Sequence, residues 1–459
     1  MNRFFIPSLF ALSVLTACQT TDFEQIVSER SEVESRLPES WQVSLEQGSI
    51  PQDWTELFDD PLLSSYMKQA ETKNPDIARA VINVRQSESA LKQTRAILLP
   101  ILTTDAGISG VTGLRNINIS ESFSDGLSAS YNPGLFGRNR IQIDQAEALL
   151  DVTQANRERI RRVVMAQIAR LYVQIIETEY QLDLARENLD FIGETLRISE
   201  ARFREGDIAR DQFALAQLET FNAEASVATL EASARTLRRN LAVLIGNTPD
   251  ANLQVAANLP APADLNLSIL PAELLGRRFD VVASRAAIAS SFTNFEQAER
   301  LNWPNLSFSG RLSGGGFDIE DLFDIDSYFA NLGGSLAATL YDGGRKEASI
   351  EIARAGLDQS LINYDEVLRN ALLDVETGFD QIAAAQRSLA ALEKASDAAG
   401  KALELEKIKY DLGESIILDV LTVQRRVNAI LSTYISTRSR LLDAQIDTYL
   451  ALGGDVTQY

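Results

Sequence analysis

The sequence predicts a mainly α-helical chain that carries membrane-type β-strands and is written as a tandem duplication. Three observations predict it. Residues 141–204 contain no proline and no glycine except Gly193, and their apolar positions recur at helical spacing. Two pairs of short segments alternate apolar and polar residues with period two. The same local signals return at an offset of roughly 200 positions, which is a duplicated domain half and not a short solenoid repeat.

The chain begins with Met1-Asn2-Arg3, then a mainly apolar run over 4–15 that is too short to span a bilayer as a mature helix and fits a signal-peptide core. It ends in Leu15-Thr16-Ala17-Cys18, with small residues before the only cysteine of the chain. This resembles a bacterial lipobox, which implies a signal peptide over 1–17, a covalent lipid on Cys18 and an N-terminal lipidated segment over 18–73. Gln19 is not the aspartate that resembles an inner-membrane retention signal, so outer-membrane sorting is expected. No later run of 18 or more apolar residues follows, so no transmembrane helix is expected.

The repeats come next. Asn74-Pro75-Asp76 precedes a helical pattern ending at Pro100, and Arg278-Phe279-Asp280 precedes one ending at Pro304. Leu135-Phe136-Gly137-Arg138 corresponds to Asp342-Gly343-Gly344-Arg345, Gly206 to Gly413, Gln217 to Gln424 and Gly246 to Gly453. The offset is 204 before Pro100 and 207 from Arg138 onward, which places an indel in a loop between them. The first repeat is read as 74–246, a Pro- and Ala-rich linker as 247–275, the second repeat as 276–454 and a tail as 455–459.

Each repeat reads helix, strand pair, long helix, tight turn, helix. Along the first long helix, Leu171, Ile175, Thr178, Leu182, Ala185, Leu189, Ile192, Leu196, Ser199 and Phe203 form an unbroken 4-3 alternation, a coiled-coil seam. The same register continues from Gly378 to Tyr410 with smaller residues. A helix of some 65 residues is about 100 Å long, and the helices predicted over 75–99 and 211–245 nearly match it when stacked end to end. The strand pairs are predicted over 102–109 with 127–131, and 305–313 with 332–341. Such two-faced segments suit a membrane barrel, but four strands cannot close one, whereas three chains supply twelve. Two soluble hairpins are the other reading of these segments.

Composition narrows the chemistry. The chain has 43 basic and 64 acidic side chains, a net charge of −21, and 45% hydrophobic residues. Phosphate binding needs clustered Lys and Arg, so no nucleic-acid partner is expected. Histidine is absent and cysteine single, which removes the commonest general base and metal ligands. No cofactor, no metal and no enzymatic activity are expected.

The mature chain resembles the TolC-like outer-membrane efflux and secretion channels, in their lipoprotein branch. The resemblance rests on Phe58-Asp59-Asp60-Pro61-Leu62, Asn74-Pro75-Asp76, the strand-to-helix turns at Gly137-Arg138 and Gly343-Gly344-Arg345, Gly413-Glu414-Ser415-Ile416-Ile417-Leu418, and Ala451-Leu452-Gly453-Gly454. Phe279 stands where that family usually has proline, and the first tip at Gly206-Asp207-Ile208 lacks the apolar pattern of the second. The resemblance implies a homotrimer with a twelve-stranded β-barrel in the outer membrane on a long coiled-coil α-barrel in the periplasm. It also implies a periplasmic adaptor and an inner-membrane pump as partners in tripartite efflux or type I secretion.

The tips at Gly206, Asp207, Ile208 and Gly413, Glu414, Ser415, Ile416, Ile417, Leu418 are the expected adaptor contacts. Trimeric symmetry turns each inward carboxylate into a ring of three, so Glu194, Glu200, Asp397 and Glu404 are gate candidates, with Glu404 first. Arg197 and Lys401 are candidates to pair with them and lock the closed state. A periplasmic coiled-coil lipoprotein scaffold without a pore is the alternative function.

Overall fold

The computed structural model describes residues 27, 29–41, 58–113, 116–250, 252–262 and 271–454. The predicted signal peptide over 1–17, Cys18 and the predicted tail over 455–459 lie outside the described residues, as do parts of the predicted N-terminal segment over 18–73 and of the predicted linker over 247–275.

The principal elements are α1 (Pro61–Lys73), α2 (Pro75–Arg95), β1 (Ile101–Gly113), β2 (Asn116–Tyr131), α3 (Arg138–Glu205), α4 (Arg210–Leu244), α5 (Phe279–Glu299), β3 (Asn305–Gly316), β4 (Phe329–Ala337), α6 (Arg345–Asp411) and α7 (Ile417–Ala451). From α2 to α4, and again from α5 to α7, the chain runs helix, strand pair, long helix, turn, helix. The duplicated unit read from the sequence is the unit observed. With 68 residues, α3 has an axis of about 100 Å.

The strands depart from their expected bounds for a backbone reason. The β1–β2 ladder runs unbroken from Ile101↔Ser130 to Thr112↔Ile119, across glycine and serine positions where the side-chain alternation fades. At the other end, β3 begins at Asn305, which pairs with Ala337, so β4 stops there. Leu340 and Tyr341, expected in the strand, have no partner strand to extend into.

The chain divides into two compact units. One holds Gln93–Ala148, Arg285–Leu368 and the described residues up to Leu37. It contains a single antiparallel sheet in the order β1-β2-β3-β4. The N-terminal segment straps onto α6 in this unit: Ser31 Oγ donates to Asp365 at 2.6 Å and Tyr364 donates to Glu34 at 2.7 Å.

The other unit holds Pro38–Lys92, Leu149–Ser284 and the chain from Arg369 on. Its core joins Ile168, Tyr172, Ile175 and Ile176 of α3 to Leu63 and Met67 of α1, Leu241 of α4 and Ile446 and Tyr449 of α7. Each fully buried aliphatic side chain there contributes roughly 1.5–3 kcal/mol. The predicted seam is buried or half-buried from Leu171 to Ser199 and opens at Phe203, next to the turn. In α6 the corresponding positions from Ala385 to Tyr410 are half-buried, large and small residues alike. Two tyrosines hold the linker: Tyr66 Oη donates to the Gln254 carbonyl at 2.7 Å, and Tyr172 Oη accepts from Ala256 N at 2.9 Å while donating to Asp60 at 2.7 Å.

The short helices stack as expected, and the paired motifs are the splice. Asn74 caps α2 by accepting from Asp76 N at 2.8 Å and Ile77 N at 3.1 Å, and donates to the Leu244 carbonyl at the end of α4 at 2.7 Å. Arg278 occupies the equivalent place in the second repeat and donates to the Ala451 carbonyl at 3.4 Å. Phe279, where the resembled family has proline, lies under the Arg162 guanidinium at 4.1 Å from the ring centre.

Four helix C-termini close in the same way. Gly206, Gly246, Gly413 and Gly453 all take positive φ, at 83°, 80°, 76° and 92°. In each, the glycine N–H and the next N–H bond back three and five residues, the pattern that satisfies the last free carbonyls of a helix.

Candidate functional site

The second turn, between α6 and α7, is built around Gly413. A Cβ there or at Gly206 would meet nothing within 4 Å, so these two turns face open space. Asp419 accepts from Ile416 N at 3.3 Å and starts α7. Ile416 is 52% exposed and Leu418 40% exposed. Ile417 instead packs on Ile192, Ala223 and Leu421. Of the three apolar residues expected as a docking face, one is therefore spent on holding the tip together. Leu412 at 69%, with Leu405 and Ile408 before it, extends the exposed apolar strip along α6. Those three were not singled out from sequence, although their spacing on one helix face is the signal that finds them.

The first turn is different. Gly206 and Asp207 are exposed and Ile208 is half-buried. The rings of Phe203 and Phe213 stack at 5.2 Å, closing the α3–α4 hairpin on itself.

Among the gate candidates, two carboxylates are already paired within the chain. Arg197 donates to Glu194 at 2.8 and 2.5 Å, which holds the Glu194 carboxyl below its usual range. Glu200 is bonded to Arg204. Arg197 thus pairs along its own helix. Asp397, Lys401 and Glu404 are exposed and spaced along one face of α6, and among the described residues no ion pair joins them to any partner.

The sheet sorts its side chains into two faces. Leu102, Ala106, Ile108, Phe123, Leu127, Ala129, Phe308, Leu312, Leu332 and Leu336 fall on one face by strand register. Leu102, Ile108, Leu332 and Leu336 are 67%, 74%, 89% and 67% exposed, so this surface is apolar and uncovered among the described residues, broken by Glu121 and by Asp125, which accepts from Tyr328 Oη at 2.7 Å. The opposite face carries Thr103, Ser109, Ser122, Ser128, Ser130, Asn305, Ser307, Ser309, Asn331 and Ser335. Its hydroxyls bond across strands, Thr103 to Ser128 at 2.6 Å, Ser109 to Ser122 and Ser307 to Ser335 at 2.8 Å. At 13, 16, 12 and 9 residues the strands are about as long as a bilayer requires, or longer. Among the described residues no helix is long and apolar enough to cross a membrane.

A four-stranded sheet whose apolar residues gather on one face, in a chain that also forms two long helical hairpins, is the make-up of a membrane-channel protomer. The sequence matches the outer membrane efflux protein family over residues 66–247 and 270–454, and the chain belongs to that family. It is 29% identical over 417 residues to the pyoverdine export outer membrane protein OpmQ of Pseudomonas aeruginosa, covering 87% of each chain. It is 23% identical over 417 residues to the cation efflux system protein CusC of Escherichia coli, covering 87% of this chain and 88% of that one. The open-state MtrE outer membrane channel of Neisseria gonorrhoeae superposes with a TM-score of 0.81 at 25% identity, covering 94% of this chain and 98% of that one. The protein is an outer-membrane efflux channel subunit.

Proposed function

We propose that three copies close into one pore and that the pore is the outer-membrane exit of a tripartite efflux or type I secretion system. The observation that carries this is the sheet. Its two outer strands, β1 and β4, have free edges among the described residues, and free edges are not tolerated in lipid. Four strands are too few to close, while three copies supply twelve and end every edge on another. The pore-less scaffold leaves the exposed apolar face of the sheet without a role.

Within that assembly Cys18 carries the lipid anchor, whose two or three acyl chains hold the N-terminus in the membrane where one would be marginal. The strip Leu405, Ile408, Leu412, Ile416 and Leu418 receives the helices of a periplasmic adaptor, which in turn brings the inner-membrane pump. The first tip, with Gly206, Asp207 and Ile208, offers little apolar surface and serves mainly as a hairpin turn. The gate forms from Asp397 and Glu404, which have no ion-pair partner among the described residues, with Lys401 available to the neighbouring copy. Glu194 and Glu200 are already neutralised by Arg197 and Arg204.

The test is native mass spectrometry of the detergent-solubilised protein together with single-channel recording in planar bilayers. A trimer with discrete conductance is expected. A stable monomer that passes no current refutes the reading.

A further inference from the structure

The polar face of the sheet carries charge at one level only. Among its paired positions with described side chains, all are Ser, Thr, Asn, Gly or apolar except Asp105 on β1 and Arg311 on β3. These two meet although they lie on strands that are not neighbours. The Arg311 Nη2 reaches over β2 to the Asp105 carboxylate at 2.6 Å. The residue it passes over is Gly126, which pairs with Asp105 on one side and Ser313 on the other. A Cβ at that position would sit 2.8 Å from Arg311 Nη2 and 3.3 Å from Asp105 Oδ1, so a larger residue would push the guanidinium off this path. Both charges are about half exposed, at 47% and 48%, on the face that turns toward the lumen in a membrane barrel.

We propose that Arg311 and Asp105 form the ring that sets the charge of the membrane pore, and that their pairing over Gly126 keeps the native pore neutral and unselective. This rests on the trimeric channel reading above. Three copies place three such pairs at one height in the lumen, in a wall whose other described paired positions are uncharged. Paired, the ring has no net charge and passes solutes of either sign. Removing one partner leaves a ring of three like charges. With the charges about 10 Å from the axis, three carboxylates enrich cations over anions about three-fold at 0.15 M salt and about ten-fold or more at 0.01 M, where screening is weak.

The test is the reversal potential across a potassium chloride gradient, recorded on trimers in planar bilayers at both salt levels. Arg311→Gln should shift selectivity toward potassium, Asp105→Asn toward chloride, and the double variant should return close to the native value. Arg311→Lys, which keeps the charge, should stay near native, as should Gly126→Ala, which disturbs the path without changing the charge. If the native channel conducts and both single variants keep its reversal potential, the proposal is overturned. The same holds if Gly126→Ala shifts it as far as Arg311→Gln, because distortion and not charge would then be the cause. If the native trimer passes no current at all, the channel reading itself falls and takes this one with it. Should Arg311→Gln fail to assemble, Asp105→Asn and Arg311→Lys still decide the matter.

Discussion

Replacing each of the four helix-ending glycines with alanine separates two costs that usually arrive together. All four have φ between 76° and 92°, so each alanine is strained by about 1–2 kcal/mol in a left-handed conformation. The surroundings differ by pairs. At Gly246 the added Cβ would lie 2.5 Å from both the Lys73 carbonyl oxygen and the Lys73 Cβ, and at Gly453 it would lie 2.8 Å from the Arg277 carbonyl oxygen and Cβ. Backbone at that range cannot swing aside, and forced overpacking costs about 1–3 kcal/mol more. At Gly206 and Gly413 nothing lies within 4 Å, so only the strain remains. Gly246→Ala and Gly453→Ala should therefore cost about 2–5 kcal/mol, and Gly206→Ala and Gly413→Ala about 1–2. The assay is hydrogen exchange with peptide-resolved mass spectrometry, since opening of a helix junction is a local event. Amides of 74–77 and 241–245 should exchange about 5- to 150-fold faster, beyond any φ effect, in Gly246→Ala. Peptides around 203–207 in Gly206→Ala should show only the smaller change. Equal losses at all four sites would refute the view that helix splicing sets the requirement at Gly246 and Gly453.

Three further outcomes follow from the same geometry. Asp280→Asn should destabilise by about 1.5–3 kcal/mol, because it strips one of two carboxylates from Arg278, whose side chain is only 10% exposed, and leaves Asp374 at 3.0 Å. Burial alone would raise the Asp280 carboxyl, but Arg278 outweighs it and holds it below the usual 3.8. Its contribution is complete above pH about 4 and is lost as pH falls further, so denaturation curves of native and variant protein should converge in acid. Asp443 shows the opposite sign: burial first, then Asp447 and Glu177, raise its carboxyl to about 6 despite Arg170. Asp443→Asn should thus stabilise the protein at pH 8, by about 1–2 kcal/mol after allowing for solvent screening, and the gain should vanish as pH drops below about 4. At the second tip, Leu412→Asp and Ile416→Asp should each weaken crosslinking to a periplasmic adaptor about ten-fold or more in cells while leaving the amount of trimer unchanged. Ile417→Asp should instead lower the amount of folded protein, because Ile417 packs against the cluster of Ile192, Ala223 and Leu421.

Much was legible because it rests on local, periodic physics. The 4-3 stripe in α3 specifies a long helix with one seam, and that seam is buried or half-buried from Leu171 to Ser199. The repeated glycines mark helix ends because a left-handed residue is needed there, whatever lies around it. The period-two alternation of 306–311 announces a strand with two faces. Strand limits were not legible, since a strand ends where its partner ends. Ala337 closes β4 only because Asn305 opens β3 beside it.

Tertiary structure decided the rest. Asn74 and Arg278 share no chemistry, yet both bind the last carbonyls of a preceding helix, which only the end-to-end stack explains. Ile416, Ile417 and Leu418 are equivalent in the sequence, but helical geometry turns one inward. Glu194 and Glu200 find arginines three and four residues on, while Asp397 and Glu404 find none. Asp105 and Arg311 lie 206 positions apart, and their meeting depends on strand order and on a missing Cβ between them. Periodicity is a property of neighbours along the chain and can be read there; pairing across strands and between helix ends depends on which segments the fold makes adjacent.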